Sequence, residues 1–463
     1  MSSPSVRADD PRGLDAAARR LLGGEAERYA ARRPKSAALA ARPGPGFLDG
    51  VPLHWMRDWP TPFPMVVETA EGATLVDVDG NAVTDFCLGD TGAMFGHAPA
   101  PIVRALAARA TGGLTTMLPS PDAAVVGPLL AARFGLPHWQ VSTSASDANR
   151  FALRMARAAT GRKKVVVFDG CYHGAVEDAL VDLVDGRTVA RAGLLGQAVD
   201  FTATSVVVPF NDLAALEAAL AGGDVACVMA EPVMTNCSMI LPAPGFHAAL
   251  RRMTRRHGTL LLIDETHTLS TGLGGYTGLN GLEPDLLVMG KPIAGGVPTG
   301  VWGVSDDVAR RVAAARSPDE HGYSGIGTTL SGSALQLACL RACLEEVMTE
   351  DAYAAMNARA DTIEAGLSAA IAEHALPWHV ARVGARLEVV FAEAPLVDAD
   401  GARAAARPAI ERYLHLALLD RGFLLTPFHN MVLVSPATRD AEAAGFARAF
   451  ADALAVLVAE ALQ

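Results

Sequence analysis

The stretch LLLIDETHT, residues 260–268, decides the fold class: four apolar residues in a row stop abruptly on two acids, Asp264 and Glu265. A strand with one wet face would alternate polar and apolar positions, whereas an unbroken apolar run reads as a strand buried on both faces, as in a parallel sheet covered by helices. The question it raises is what two acids do at the mouth of such a strand.

Outward from this point the same grammar repeats. HWQVSTS, KKVVVFDG, SVVVPFND, VACVMAEPV, PDLLVMGK and GVWGVS read as short buried strands, and between them PIVRALAARAT, DANRFALRMARAAT, LAALEAALAG and FHAALRRMTRRHG read as amphipathic helices. Alternation of this kind predicts an α/β layer with a mainly parallel central sheet flanked by helices. The expected large domain covers residues 96–345. Residues 1–95 and 346–463 are expected to form a smaller α+β unit built from both termini, with a hairpin signal at DVDGN inside MVVETAEGATLVDVDGNAVTDF (65–86).

Composition narrows the function. The chain has 463 residues, 51% hydrophobic, and a formal charge of -11 with no basic block, so a polyanion-binding role is disfavoured and small-molecule chemistry is expected. No nucleic-acid or membrane partner is expected. The six cysteines are scattered, giving neither a disulfide framework nor zinc-ligand spacing, and Cys339 and Cys343 read as buried packing residues. With no signal-like N-terminus and no apolar run of about 18 residues, the expectation is a cytoplasmic protein.

In open α/β sheets ligands gather at the carboxyl ends of the strands. Four of those ends carry reactive or recognition groups. QVSTSASDAN (140–149) opens a helix after a strand, so backbone N–H groups near Ala145 and Ser146 either hold a phosphate or belong to an ordinary serine cap. VVVFDGCYHG (165–174) places Tyr172 and His173 beyond another strand; the tyrosine either stacks on a planar ligand or is a half-buried surface residue. LLLIDETHT supplies Asp264. PDLLVMGKPIAGG (284–296) ends on Lys291, which is either solvated or a nucleophilic amine. Together, an amine, a phosphate cradle, an aromatic cover and a carboxylate suited to a pyridine nitrogen describe the needs of pyridoxal 5′-phosphate. An ionised Asp264 in a poorly solvated pocket would keep that nitrogen protonated. Lys291 is then the natural base.

These motifs, with AEPVMTN (230–236) and GTTLSGS (327–333), resemble the class III aminotransferases of the fold-type I pyridoxal phosphate family, most closely the glutamate-1-semialdehyde aminomutase and β-amino acid aminotransferase branch. The resemblance runs from about residue 66 to the C-terminus. It implies that Lys291 is the Schiff-base lysine, that Asp264 pairs with the ring nitrogen, that Tyr172 and Thr266 cover the two ring faces, and that Ala145 and Ser146 bind the phosphate. It also implies a homodimer in which Thr329 reaches the partner's phosphate. Glu231 lies near the cofactor in the family, in a structural or a catalytic role. There are departures: SASDA replaces the usual Ser-Gly-Thr-Glu-Ala turn, so Ala145 stands where a glycine is common, and His267 replaces a Gln or Met, either bonding the ring hydroxyl or packing.

Substrate recognition is less legible. A carboxylate calls for an arginine fork; Arg57 in LHWMRDWP (53–60) is the candidate, with a surface ion pair as the other reading. Trp55 and Trp59 suit a bulky substrate or a cap over the domain junction, and Phe428 and His429 stand where some relatives have an arginine. The leading expectation is amino transfer from an amino acid or amine donor to a keto acid or aldehyde acceptor by a ping-pong pyridoxamine mechanism. The alternative is an isomerase on the same scaffold, a 2,1-aminomutase or an amino acid racemase. A non-catalytic binding protein is remote, since no GxGxxG follows the first strand of the sheet and binding alone does not require Lys291.

Overall fold

In the computed structural model, the structure describes residues 13–42, 46–316, 324–427 and 429–463. The chain divides into two compact units. One comprises Met1–Ala98, Ala354–Pro395 and Ala402–Gln463; the other comprises Pro99–Tyr353 with the short segment Leu396–Gly401.

The second unit is built on a seven-stranded sheet in the order His138–Ser142, Gly300–Val304, Leu286–Met289, Leu260–Asp264, Val225–Ala230, Lys164–Phe168, Ser205–Val208. Every residue of Val225–Ala230, Leu260–Asp264, Leu286–Met289 and Gly300–Val304 is buried, the double-sided burial expected of continuous apolar runs. Only Gly300–Val304 runs against the others. Its connection from Met289 contains a single 3-10 turn, Lys291–Ala294, and no crossover helix, so the chain comes back as an antiparallel neighbour.

The helix Ala145–Thr160 packs its Ala148, Asn149, Phe151, Ala152, Leu153, Met155 and Ala156 inward. Ser144 caps its start by accepting from Asp147 N–H at 3.2 Å, and Gly161 ends it in the left-handed conformation. Two close approaches fix where this helix begins. A Cβ on Gly300 would lie 2.3 Å from Ser144 O, and the Gln336 amide donates to Ser142 O at 2.9 Å and Pro298 O at 3.0 Å.

The other unit carries the helices Leu14–Arg32, Pro408–Asp420 and Asp440–Ala461 with two antiparallel-rich sheets. The DVDGN reversal joins Thr74–Asp77 to Ala82–Asp85, and a second reversal at Gly72 adds Val67–Glu71. Tyr29, Leu75, Val83, Leu416, Leu419 and Leu424 form its core. No disulfide joins any of the six cysteines, and Cys339 and Cys343 are buried as packing residues. Among the described residues no helix is long and apolar enough to cross a membrane.

Because the atom facing Gly300 is backbone, the neighbour cannot swing aside. Gly300→Ala is expected to cost roughly 1–3 kcal/mol in urea unfolding and to disturb the start of the helix.

Candidate active site

Six strands of the large sheet point the same way, among them His138–Ser142, Lys164–Phe168, Val225–Ala230, Leu260–Asp264 and Leu286–Met289, so the residues just beyond their carboxyl ends gather along one edge. In sequence order these are Ser144–Ser146, Tyr172–His173, Glu231, Asp264 at its strand's last position, and Lys291.

Asp264 is 5% exposed, and its two oxygens take four hydrogen bonds. Oδ2 accepts from the Asn149 amide at 2.8 Å and faces His173 Nδ1 at 2.9 Å; Oδ1 accepts from Thr266 N–H at 3.1 Å and the Thr266 hydroxyl at 2.6 Å. Burial alone would raise its pKa, but the His173, Thr266 and Asn149 bonds outweigh that and bring it from 3.8 to about 2. Burial likewise opposes the charged imidazole of His173, yet Cys171 and Asp264 beside it hold its pKa well above the ordinary value. The result is an ionised carboxylate locked in one orientation on the sheet edge.

Glu265 has a different role. Its carboxylate accepts from the Thr268 hydroxyl at 2.5 Å, Tyr276 N–H at 3.2 Å and Thr277 N–H, which ties down the turn entering the helix Gly275–Leu279. The two acids of LLLIDETHT are therefore separated into one presented group and one internal clamp.

Lys291 sits at φ 46°, a left-handed conformation seldom adopted by a residue with a Cβ. The preceding Gly290 is needed for space: a Cβ there would meet Ala145 Cβ at 2.6 Å and Ala145 N at 3.1 Å. The Ala145 methyl fills the room that Gly290 leaves. The helix makes its first bond from Ala148 N–H to Ser144 O at 3.0 Å, so the N–H groups of Ala145 and Ser146 lie ahead of it as orphan donors. The Ser146 hydroxyl accepts from Ala175 N–H at 3.1 Å, which leaves its own proton to donate, and a Cβ on Gly174 would run into it at 2.1 Å. Tyr172, between buried Cys171 and His173, is 51% exposed.

His267 is buried and lies 2.5 Å from Lys291 Nζ through Nε2; its Nδ1 is 2.6 Å from the Thr235 hydroxyl, which bonds Glu231 Oε2 at 2.7 Å. Glu231 is 4% exposed, and burial pushes its carboxyl pKa upward against the opposing charge of His173.

The structure thus brings together Ala145, Gly290 and Lys291, joins Ser146 to the segment after Tyr172, ties Asp264 to Thr266 and His173, and links Lys291 to His267 and Glu231. Thr329 lies on an exposed stretch of the same unit, lining a cavity with Met117, Leu118 and Trp139. Trp55 and Arg57 belong to the other unit, where Arg57 Nη1 is 3.4 Å from Asp49 Oδ1, a surface ion pair as the second sequence reading had it. His429 is 3.1 Å from Glu388, and Phe428 lies outside the described residues. Sequence reading missed Asn149 and Thr235. Each stands four residues beyond a site residue, Ala145 and Glu231, and that spacing was the available signal.

The profile of the class-III aminotransferases matches residues 55–454. The chain belongs to that family. Among class III proteins it is 36% identical over 369 residues to the glutamate-1-semialdehyde 2,1-aminomutase of Anaeromyxobacter dehalogenans (strain 2CP-C), covering 79% of this chain and 84% of the relative. A crystal structure of a glutamate-1-semialdehyde-aminomutase from Pseudomonas aeruginosa PAO1 is 49% identical, with a TM-score of 0.93 over 96% of this chain and 99% of that one. An omega-transaminase from Sphaerobacter thermophilus is 27% identical, with a TM-score of 0.83 over 92% of this chain and 99% of that one. The fold is therefore fold type I, the protein is an enzyme, and its cofactor is pyridoxal 5′-phosphate. The residues fit that group: an ionised buried carboxylate for a ring nitrogen, a lysine amine for an aldehyde, and orphan helix N–H donors for a phosphate.

Since Asp264 is held at about 2 in the folded chain against 3.8 ordinarily, its stabilisation is complete above pH 3.8 and disappears as pH falls through 2. The stability gap between wild type and Asp264→Asn should therefore be widest above pH 4 and close toward pH 2, as read by urea unfolding at stepped pH.

Proposed function

We propose that this class III enzyme is a pyridoxal 5′-phosphate-dependent isomerase that moves an amino group between neighbouring carbons of a small amino aldehyde bearing a carboxylate, as glutamate 1-semialdehyde does. The observation that supports this most is the near-complete coverage and close superposition with an aminomutase, at almost twice the identity of the transaminase. Intramolecular transfer needs no second substrate.

When bound, the cofactor supplies an aldehyde that exchanges amines and a ring that draws electrons from the substrate carbon. The chain's residues supply the rest. Lys291 Nζ would hold the aldehyde and, as a free amine, would take a proton from the reacting substrate carbon or return one to it. Asp264, fixed by Asn149, His173 and Thr266, keeps the ring nitrogen protonated. The N–H groups of Ala145 and Ser146, with the Ser146 hydroxyl, receive the phosphate at the positive end of the Ala145–Thr160 helix. Tyr172 and Thr266 would cover the two ring faces.

The working assembly is a homodimer in which Thr329 reaches the second copy's phosphate. This is supported by the exposed apolar residues beside it, Met117, Leu118 and Leu330, at 79%, 71% and 54% exposure. Six cysteines without a disulfide agree with a cytoplasmic location.

A second reading, amino transfer between two substrates, is favoured by the structural likeness to the omega-transaminase. Counting turnovers separates the two. With amino aldehyde alone, the isomerase consumes many equivalents per site and returns a rearranged product. A halt after one equivalent, relieved by a keto acid, would establish the transaminase instead. Borohydride reduction should attach the cofactor's mass to the peptide containing Lys291 in wild type and to no peptide in Lys291→Ala.

A further inference from the structure

Three contacts form a continuous line: Lys291 Nζ to His267 Nε2 at 2.5 Å, His267 Nδ1 to Thr235 Oγ1 at 2.6 Å, and Thr235 Oγ1 to Glu231 Oε2 at 2.7 Å. Proton counting makes the line directional. The Thr235 hydroxyl has one proton, and a carboxylate only accepts, so that proton goes to Glu231. Thr235 then accepts from His267 Nδ1–H, which leaves the Nε2 lone pair to accept from the Lys291 ammonium. The same heavy-atom positions serve the reversed sense equally well. A protonated Glu231 donates to Thr235, Thr235 donates to Nδ1, and Nε2–H faces a neutral Lys291 amine.

We propose that His267, Thr235 and Glu231 are a relay that exchanges a proton with Lys291. Three hops connect the two senses: Nζ to Nε2, Nδ1 to Oγ1, Oγ1 to Oε2. Ammonium plus carboxylate becomes amine plus carboxylic acid, His267 stays neutral while changing tautomer, and charge balances. His267 touches the reacting amine; Thr235 and Glu231 are positioning residues acting through it.

The surroundings let Glu231 hold the relayed proton. Glu231 Oε1 is buried with no hydrogen-bond partner among the described residues, an arrangement that costs a carboxylate more than an acid. Asp264 adds like charge to Glu231, His173 opposes it, and the Asn236 amide, 3.3 Å from Nδ1, can turn to suit either tautomer. A glutamine or methionine at position 267 could not pass a proton between two ring nitrogens.

This relay rests on Lys291 being the catalytic amine, so it is tested without turnover. In the full-length chain carrying 15N-labelled histidine, the His267 ring nitrogens are followed by NMR and assigned by their loss in His267→Gln. Wild type should show Nδ1 and Nε2 shifts lying between the limits of the two neutral tautomers, as exchange between the two senses requires. Thr235→Val, folded by circular dichroism, should move both to the limit of a single tautomer, while Thr235→Ser restores the averaged shifts. A wild-type ring fixed in one tautomer, or shifts that Thr235→Val leaves unchanged, would overturn the relay whatever the turnover experiment finds. Loss of Lys291 labelling by borohydride with an intact histidine spectrum would instead sink the cofactor role and leave the relay standing.

Discussion

The site depends on keeping one carboxylate charged where water cannot reach it. A buried acid left to itself protonates. Asp264 stays ionised because a histidine, an asparagine amide and both donors of Thr266 are aimed at its two oxygens. Those donors come from three different places in the chain: the helix after the first strand of the sheet, the loop after the second, and the turn beyond Asp264 itself. Their convergence requires the parallel sheet, whose strand ends share one edge, and the helix Ala145–Thr160, which carries Asn149 inward on its buried face.

Close packing of small residues sets the rest. Gly290 against Ala145, Gly300 against Ser144 and Gly174 against Ser146 draw two loops and a strand end onto the start of one helix, at distances where no Cβ fits. A lysine, a tyrosine-bearing loop and a pair of unsatisfied N–H groups are brought to one locus without a long side chain having to reach for it. The glycines of PDLLVMGKPIAGG and VVVFDGCYHG are explained by this crowding as much as by turn geometry.

Most of the large sheet was legible because its strands are unbroken apolar runs and its helices keep a 3.6-residue period. The reversed direction of Gly300–Val304 was not, since a buried apolar strand looks the same either way; only the lack of a helix before it carries the information. Asp264 and Lys291 were legible from their place at strand ends. The partners that make them work left only a spacing: Asn149 sits in the second turn of its helix, four residues past Ala145, Thr235 four past Glu231 in a loop of ordinary composition, and neither spacing reveals a hydrogen bond across more than a hundred positions, as from Asn149 to Asp264. Arg57 was proposed for its residue type, and its observed partner is the nearby Asp49.

The left-handed backbone at Lys291 has a consequence for timing. With the glycine before it wedged against the helix start, the main chain there is pinned in an uncommon conformation that its neighbours over-determine. Whatever changes of position the amine undergoes must come from torsions of its four-carbon stem. Such rotations take picoseconds to nanoseconds, whereas loop rearrangements need nanoseconds to microseconds. The amine can therefore switch between neighbours faster than the surrounding framework can rearrange, and the geometry of the cradle is unchanged when it does.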